Sequence, residues 1–326
     1  MATQSATRFR PIPEWTPHTF TQLVFPGRGG DWECCWEEVV ESFRELAYKI
    51  AQFEPVLICY WDKEVIEGLK HPNFRFVKIR NNDTWVRDFG GIPVEDSAGR
   101  RGILKFRFDG WGLKFPANLD NRSTFTLFKA HIFKSFQFTL EGGAIETEGR
   151  NILTTASVLT EFNRYHPATL TEQVERLKSI FQIEEVFVLH SGQLEGDDTD
   201  GHIDTLARFI NPSTIVYTSA PPDDPHFISL SQMEEELKQL PYQLVPLPLP
   251  SPLYFAGERL PATYANFYFV NGGVIVPIYG VAEDLEALSI FRRLLPDRKV
   301  VPIDASIFVR QHGSVHCLTR DYYHPF

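Results

Sequence analysis

Disulfides are the first thing this chain lacks the parts for. Only four of its 326 residues are cysteine, Cys34, Cys35, Cys59 and Cys317, and the first two are neighbours, poorly placed to bridge each other. A disulfide-framed secreted fold is excluded, and a reducing cytoplasm is the expected compartment. The opening residues, Met1 to Arg8, hold no apolar stretch of the kind a secretory leader carries. No apolar run approaches the roughly 20 residues of a membrane-spanning helix. Also missing are a G-x-G-x-x-G turn and a Walker lysine loop, which removes the common nucleotide-binding designs. Positive charge is in deficit: 32 Lys and Arg face 42 Asp and Glu, a net charge of −10. That balance opposes binding to a nucleic-acid backbone and favours a small cationic partner.

What is present is a repeated grammar. A short apolar run at 21–26 is followed by Gly27-Arg28-Gly29-Gly30, an amphipathic segment from Trp32 to Phe53, and a second apolar run at 56–60. That order predicts strand, helix, strand. It recurs at 151–155, 170–181 and 185–190, at 214–218, 230–240 and 242–247, and at 273–277, 283–295 and 299–303. The stretch Trp85–Phe108 is less regular, and the segment 315–319 is expected to wrap round to it as a strand. Such a repeat predicts an α/β array closed on itself. Residues 1–10 are expected to be flexible, and 11–326 to form one domain.

Three stretches concentrate polar chemistry. Near the end of the sequence, Cys317 follows His312, Gly313 and His316. Upstream, Asp198, Asp200, His202 and Asp204 alternate with small or apolar residues, so an extended chain would point all four to one face. Carboxylates on a partly buried face need a cation, which a metal, a protein arginine or a cationic substrate would supply. An EF-hand is excluded, because Gly201 is out of place and Phe209 stands where the closing glutamate belongs. Asp88 beside Trp85 and Phe89, and Glu141 before two glycines, complete an acidic, aromatic set. Paired carboxylates match the guanidinium fork and aromatic faces attract cations, so a guanidino compound fits these residue types.

Five motifs in order carry a resemblance over residues 11–326. Trp85-Val86-Arg87-Asp88-Phe89-Gly90, Glu141-Gly142-Gly143, the run Gly196 to Asp204, Tyr264-Ala265-Asn266-Phe267 and Gly313-Ser314-Val315-His316-Cys317 are similar to those of the agmatine deiminase family. That family is grouped with bacterial-type peptidylarginine deiminases among guanidino-modifying enzymes. The resemblance implies a five-bladed α/β propeller, or pentein, of ββαβ modules. It implies hydrolysis of agmatine to N-carbamoylputrescine and ammonia, a step towards putrescine, without metal or cofactor. By motif, Cys317 matches the nucleophile, His202 the general acid/base, and Asp88 and Asp204 the guanidinium-binding carboxylates. Trp85, Glu141, Asp198 and Asn266 match substrate-pocket positions. Gln311-His312 and Arg320-Asp321 depart from the family's glycines and glutamines. A peptidylarginine or another guanidino deiminase is the alternative, and a homodimer stays open.

The expected chemistry is covalent. Asp88 and Asp204 would hold the guanidinium flat for Cys317, and His202 would protonate departing ammonia and then activate water. If 315–319 is a strand, His316 would face away from the site and serve structure only. Three rivals use the same residues differently. A papain-like protease has its cysteine before its histidine, the reverse of the order here. A metal hydrolase would gather Asp198, Asp200, His202 and Asp204, and a binding protein would hold a guanidino compound without releasing ammonia.

Overall fold

The structure, a computed structural model, describes residues 8–165 and 167–325. Its strands and helices follow one plan five times: two antiparallel strands, a helix, and a third strand parallel to the second. Tyr268–Val270, Gly273–Ile278, helix Glu283–Leu294 and Lys299–Asp304 give the plan in its simplest form. Ala207–Asn211, Thr214–Ser219, helix Phe227–Leu237 and Gln243–Pro248 repeat it. So do Glu146–Thr147, Ile152–Thr155, helix Leu170–Ile180 and Val186–Leu189. A fourth module is Ile92–Glu95, Arg101–Arg107, helix Asp120–Phe128 and Ile132–Thr139. This is a mixed α/β fold.

The fifth module is assembled from both ends of the sequence. Phe20–Val24, helix Trp36–Ala51 and Val56–Tyr60 supply the parallel pair and crossover, with Phe74–Lys78 added outside. Its antiparallel strand is Thr319–Tyr322. The predicted partner of this last strand was the Trp85–Phe108 stretch, and the predicted span began at Val315. Residues 315–318 are instead a turn, and the strand that joins Ile92–Glu95 is Arg10–Pro11. Of the N-terminal stretch expected to be flexible, residues 1–7 lie outside those described, while Phe9 is buried and its N–H bonds to Ile180 O.

Local sequence accounts for these elements. The second strand of each module is buried along most of its length, because helices and neighbouring modules cover both its faces. Helix Trp36–Ala51 buries Val39, Val40, Phe43, Leu46, Ala47 and Ile50, a stripe at three- and four-residue spacing. Helix Leu170–Ile180 begins with a reciprocal Thr169–Glu172 capping box. No helix among the described residues is long and apolar enough to cross a membrane.

One regularity positions the site. The five polar motifs occupy the same place in the plan, the connection just ahead of a module's first strand. Asp88 precedes Ile92, Gly143 precedes Glu146, Asp204 precedes Ala207, Asn266 precedes Tyr268 and Cys317 precedes Thr319. Residues far apart in sequence therefore converge at one end of the modules.

Candidate active site

Cys317 lies on the wall of a cavity of about 260 Å³. Trp85, Trp111 and Phe115 provide its aromatic side, and Asp31, Asp83, Asp88 and Asp198 its carboxylates. Gln311, His312 and Gly313 also border it. A second cavity of similar size, lined by Arg28, Trp61 and Arg80, shares Asp31 and Asp83 with the first. Among the described residues its walls carry neither thiol nor imidazole, so the chemistry belongs to the cavity that holds Cys317.

Around the thiol the contacts are close. Its Sγ is 3.7 Å from Asp204 Oδ2, and Asn266 Nδ2 donates to it at 3.3 Å. Asn266 Oδ1 accepts from the backbone N–H groups of His316 and Cys317, fixing the turn that presents the sulfur. Behind the cavity wall, His202 Nε2 is 3.1 Å from Glu141 Oε2, and Glu141 Oε1 accepts from Arg164 Nε at 2.9 Å. Asp88 Oδ1 accepts from Gly143 N, and its Oδ2 from Trp111 Nε1, both at 2.9 Å. His202 Nδ1 faces Asp88 Oδ1 at 3.6 Å. Gly143 is where these groups meet. A Cβ there would come within 2.7 Å of His202 Nδ1 and 2.9 Å of Asp204 and Asp88 oxygens, so any larger residue would push these groups apart.

The charges explain what this cluster can do. Burial pushes the Cys317 thiol well above its ordinary pKa, and the carboxylates of Asp204 and Asp88 push it further, so it is a protonated thiol at neutral pH. Burial would depress His202, but Asp88, Glu141 and Asp204 outweigh it and hold the imidazole up to about 9. Asp204 is raised by burial and lowered by the stronger pull of His316, His202 and Arg208, so it stays ionised. Among the described residues, buried Asp204 Oδ1 and His202 Nδ1 have no hydrogen-bond partner. A buried carboxylate oxygen without a donor, beside a thiol that two carboxylates hold protonated, is an arrangement that a cation with N–H groups would complete.

The structure brings together Cys317, His202, Asp204, Asp88 and Asn266 from four separate connections. Trp85 and Asp198 line the cavity, while Glu141 is fully buried behind His202 and outside the lining. The alternation expected from Asp198 to Asp204 does not form. Asp200 and Gly201 take left-handed backbone angles, φ 68° and 89°, and Ile203–Thr205 is a 3-10 turn, so the period of two breaks. Asp200 is turned away to Lys114 and Arg164, at 2.8 and 2.6 Å, and the four-residue metal set is not assembled. His316 does not face away. In the turn, rather than a strand, its Nδ1 is 2.7 Å from Asp204 Oδ2 and its Nε2 is 2.7 Å from Glu14 Oε2. Sequence reasoning missed Glu14, Arg164 and Trp111, for nothing local marks which charge or ring will meet a motif from another module. Gly143 could have been found, since a glycine pair after a candidate carboxylate is a mark of crowded backbone as well as of a turn.

With this geometry in hand, comparisons with known proteins are specific. An agmatine deiminase of Pseudomonas aeruginosa is 30% identical, covering 98% of this chain and 96% of its own. A C. jejuni agmatine deiminase in which a cysteine is replaced by serine, solved with substrate bound, superposes with a TM-score of 0.95 at 36% identity, covering 100% of this chain and 99% of that one. A more distant likeness is to an amidinotransferase of saxitoxin biosynthesis from Microseira wollei. At a TM-score of 0.57 and 14% identity, with 96% of both chains covered, it bears on the fold alone. The sequence pattern of one family runs through residues 10–322, from the strand Arg10–Pro11 that joins the fourth module to the strand Thr319–Tyr322 that completes the fifth. The chain that gathers these five connections round a thiol thus belongs to the Porphyromonas-type peptidyl-arginine deiminase family.

Proposed function

We propose that the protein is an agmatine deiminase, hydrolysing agmatine to N-carbamoylputrescine and ammonia through an amidino intermediate on Cys317. The observation that carries this reading is the charge of the cavity. Its lining holds four aspartates and, among the described residues, no lysine or arginine. Free arginine would bring an α-carboxylate to this wall with no cation to receive it. Agmatine brings a guanidinium at one end and an ammonium at the other, and carboxylates suit both. Burial pushes Asp83 up to about 7 and Asp198 up to about 6. An ammonium beside them would restore their ionisation, so binding of the tail neutralises charges that the free cavity holds at a cost.

At the other end, Asp88 and Asp204 take the guanidinium N–H groups, with Asp204 Oδ1 the acceptor that is otherwise unused. The substrate's positive charge offsets the carboxylates that keep the thiol protonated, so binding itself activates the nucleophile. The thiol releases its proton to solvent as the substrate cation binds, and the Sγ thiolate then bonds to the central carbon. His202, protonated through its carboxylate neighbours, gives its proton to the departing nitrogen as the C–N bond breaks and ammonia leaves. Now neutral, it takes a proton from water, whose oxygen bonds to the same carbon. The C–S bond breaks, and the urea product and the free cysteine are released. Glu141, held by Arg164, orients and charges His202 and does not touch substrate.

We propose further that the five modules are blades of an α/β propeller, one catalytic domain over residues 11–326. Two things support it: the repeated ββαβ plan, and the shared position of the motifs ahead of each first strand. A reduced cytoplasm suits an enzyme whose nucleophile is a thiol.

The test is ammonia release from agmatine and free arginine side by side, with mass spectrometry of acid-quenched protein. Agmatine should be the better substrate, with an amidino adduct on the Cys317 peptide. Preference for arginine, or an adduct on Cys34, Cys35 or Cys59, would sink this reading.

A further inference from the structure

The segment Gln311-His312-Gly313 borders the cavity, and two of its side chains are tied to separate loops. Gln311 Nε2 donates to Asp31 O at 2.7 Å, and His312 Nδ1 is 2.7 Å from Gly196 O. Beneath it, Gly313 lies against Trp85 so closely that a Cβ would be 2.3 Å from the indole. The loop that offers Gly196 O is itself fixed, because Gly196 sits at φ 85° and a Cβ there would meet Arg259 O at 2.4 Å. All three strap residues are partly exposed, whereas Cys317, Asp88, Trp85 and Trp111 are buried, so the strap lies at the mouth and the chemistry below it.

The backbone of this strap would be easier to build without its histidine. His312 caps the short 3-10 helix Phe308–Gln311 at φ 66°, the left-handed region that glycine occupies freely and side chains rarely do. A strained residue whose side chain is tied across a cavity mouth is a feature that the fold does not need, which makes it a candidate for function.

We infer that Gln311 and His312 determine specificity by narrowing the mouth, admitting guanidino compounds with a slender unbranched tail and excluding arginine within a peptide. The inference rests on the proposed function, since it concerns what reaches Cys317. A polymethylene tail has the width of one chain. Peptidyl arginine branches at its α-carbon into backbone on both sides, and both arms would have to pass the Asp31–Gln311 and His312–Gly196 ties.

The experiment compares wild type with His312→Gly, Gln311→Gly and the double variant. Glycine removes the side chain and its tie at either position and at His312 also relieves the left-handed strain, so the fold should persist. Ammonia release is measured from agmatine and from an arginine acylated at its amino group and amidated at its carboxyl, a peptide mimic. The wild-type kcat/KM ratio should strongly favour agmatine, and the double variant should narrow it at least tenfold. A ratio unchanged within twofold in a folded double variant, or a wild type that accepts both substrates alike, would overturn the strap's role. Alkylation of Cys317, mapped by mass spectrometry, gives a readout independent of substrate. The double variant should raise labelling by a bulky maleimide at least tenfold relative to iodoacetamide. If wild type does not turn over agmatine but the labelling ratio shifts, the functional reading fails and the strap stands. If the labelling ratio does not shift, the strap fails alone.

Discussion

His316 Nδ1 lies 2.7 Å from Asp204 Oδ2, the carboxylate oxygen that faces the Cys317 thiol, and the other ring nitrogen is held at 2.7 Å by Glu14. The imidazole occupies one Asp204 oxygen and leaves the other for substrate. His316→Ala should lower kcat/KM at least 100-fold, because Asp204 loses the donor that orients it and supports its charge. In His316→Asn an amide can still donate to Asp204, so at least a tenth of wild-type activity should return. Equal losses in the two folded variants would reduce His316 to packing.

His202 sets where activity is lost on the alkaline side. Its pKa of about 9 reflects burial, which acts to lower it, overcome by Asp88, Glu141 and Asp204. As the proton donor it must be charged, so kcat/KM should fall about tenfold per pH unit above 9. His202→Gln keeps a hydrogen bond to Glu141 but carries no proton. It should lower kcat by roughly 10²–10⁴-fold and abolish that limb of the profile. A limb that survives the substitution would belong to another group.

Gly143→Ala is a one-methyl test of the cluster. The added Cβ would be 2.7–2.9 Å from His202, Asp204 and Asp88. The backbone angle itself is one that alanine can adopt, so folding should survive while the three groups are pushed apart. We expect a loss in kcat of at least 10²-fold, in line with misplacement of reacting groups by about 1 Å. Activity within twofold of wild type would mean that the crowding is not where catalysis happens.

Away from the site, His18 should shape stability. It is buried with Glu54 at 2.8 Å, and although burial acts to lower its pKa, Glu54 raises it to about 9. A folded-state value above the unfolded one of about 6.5 adds stability that is full below pH 6.5 and is lost as pH rises through 9. The amount is on the order of 3 kcal/mol. Urea midpoints from pH 6 to 10 should decline for wild type and decline less for His18→Gln, and parallel curves would rule the pair out as the cause.

The crossover units were legible because central strands covered on both faces must be apolar along their whole length, and amphipathic helices repeat at a fixed spacing. Val56–Tyr60, Thr214–Ser219 and Gly273–Ile278 announce themselves for that reason. The closure was not legible. Whether Thr319–Tyr322 pairs with Phe20–Val24 or with a strand of another module is decided by register and packing between segments that nothing local connects. In the site, the motifs stood out by residue type, but the left-handed angles at Asp200 and Gly201 undo a period-two reading that assumes extended backbone. Glu14 and Arg164 carry no local mark at all, since their importance lies in which distant charge each one meets.

Glu14 and His316 are 302 positions apart. Glu14 also holds Arg87 at 2.8 Å and Arg208 at 3.0 Å, so one early carboxylate ties three later modules together. On a ribosome that carboxylate emerges long before its partners, and the thiol it indirectly positions belongs to a segment made hundreds of residues later. Contacts of such separation form slowly, because the chain entropy of closing the loop is lost before the contact can repay it. Modules with local crossovers can take shape during synthesis, but the active site can be completed only after residue 316 has left the exit tunnel.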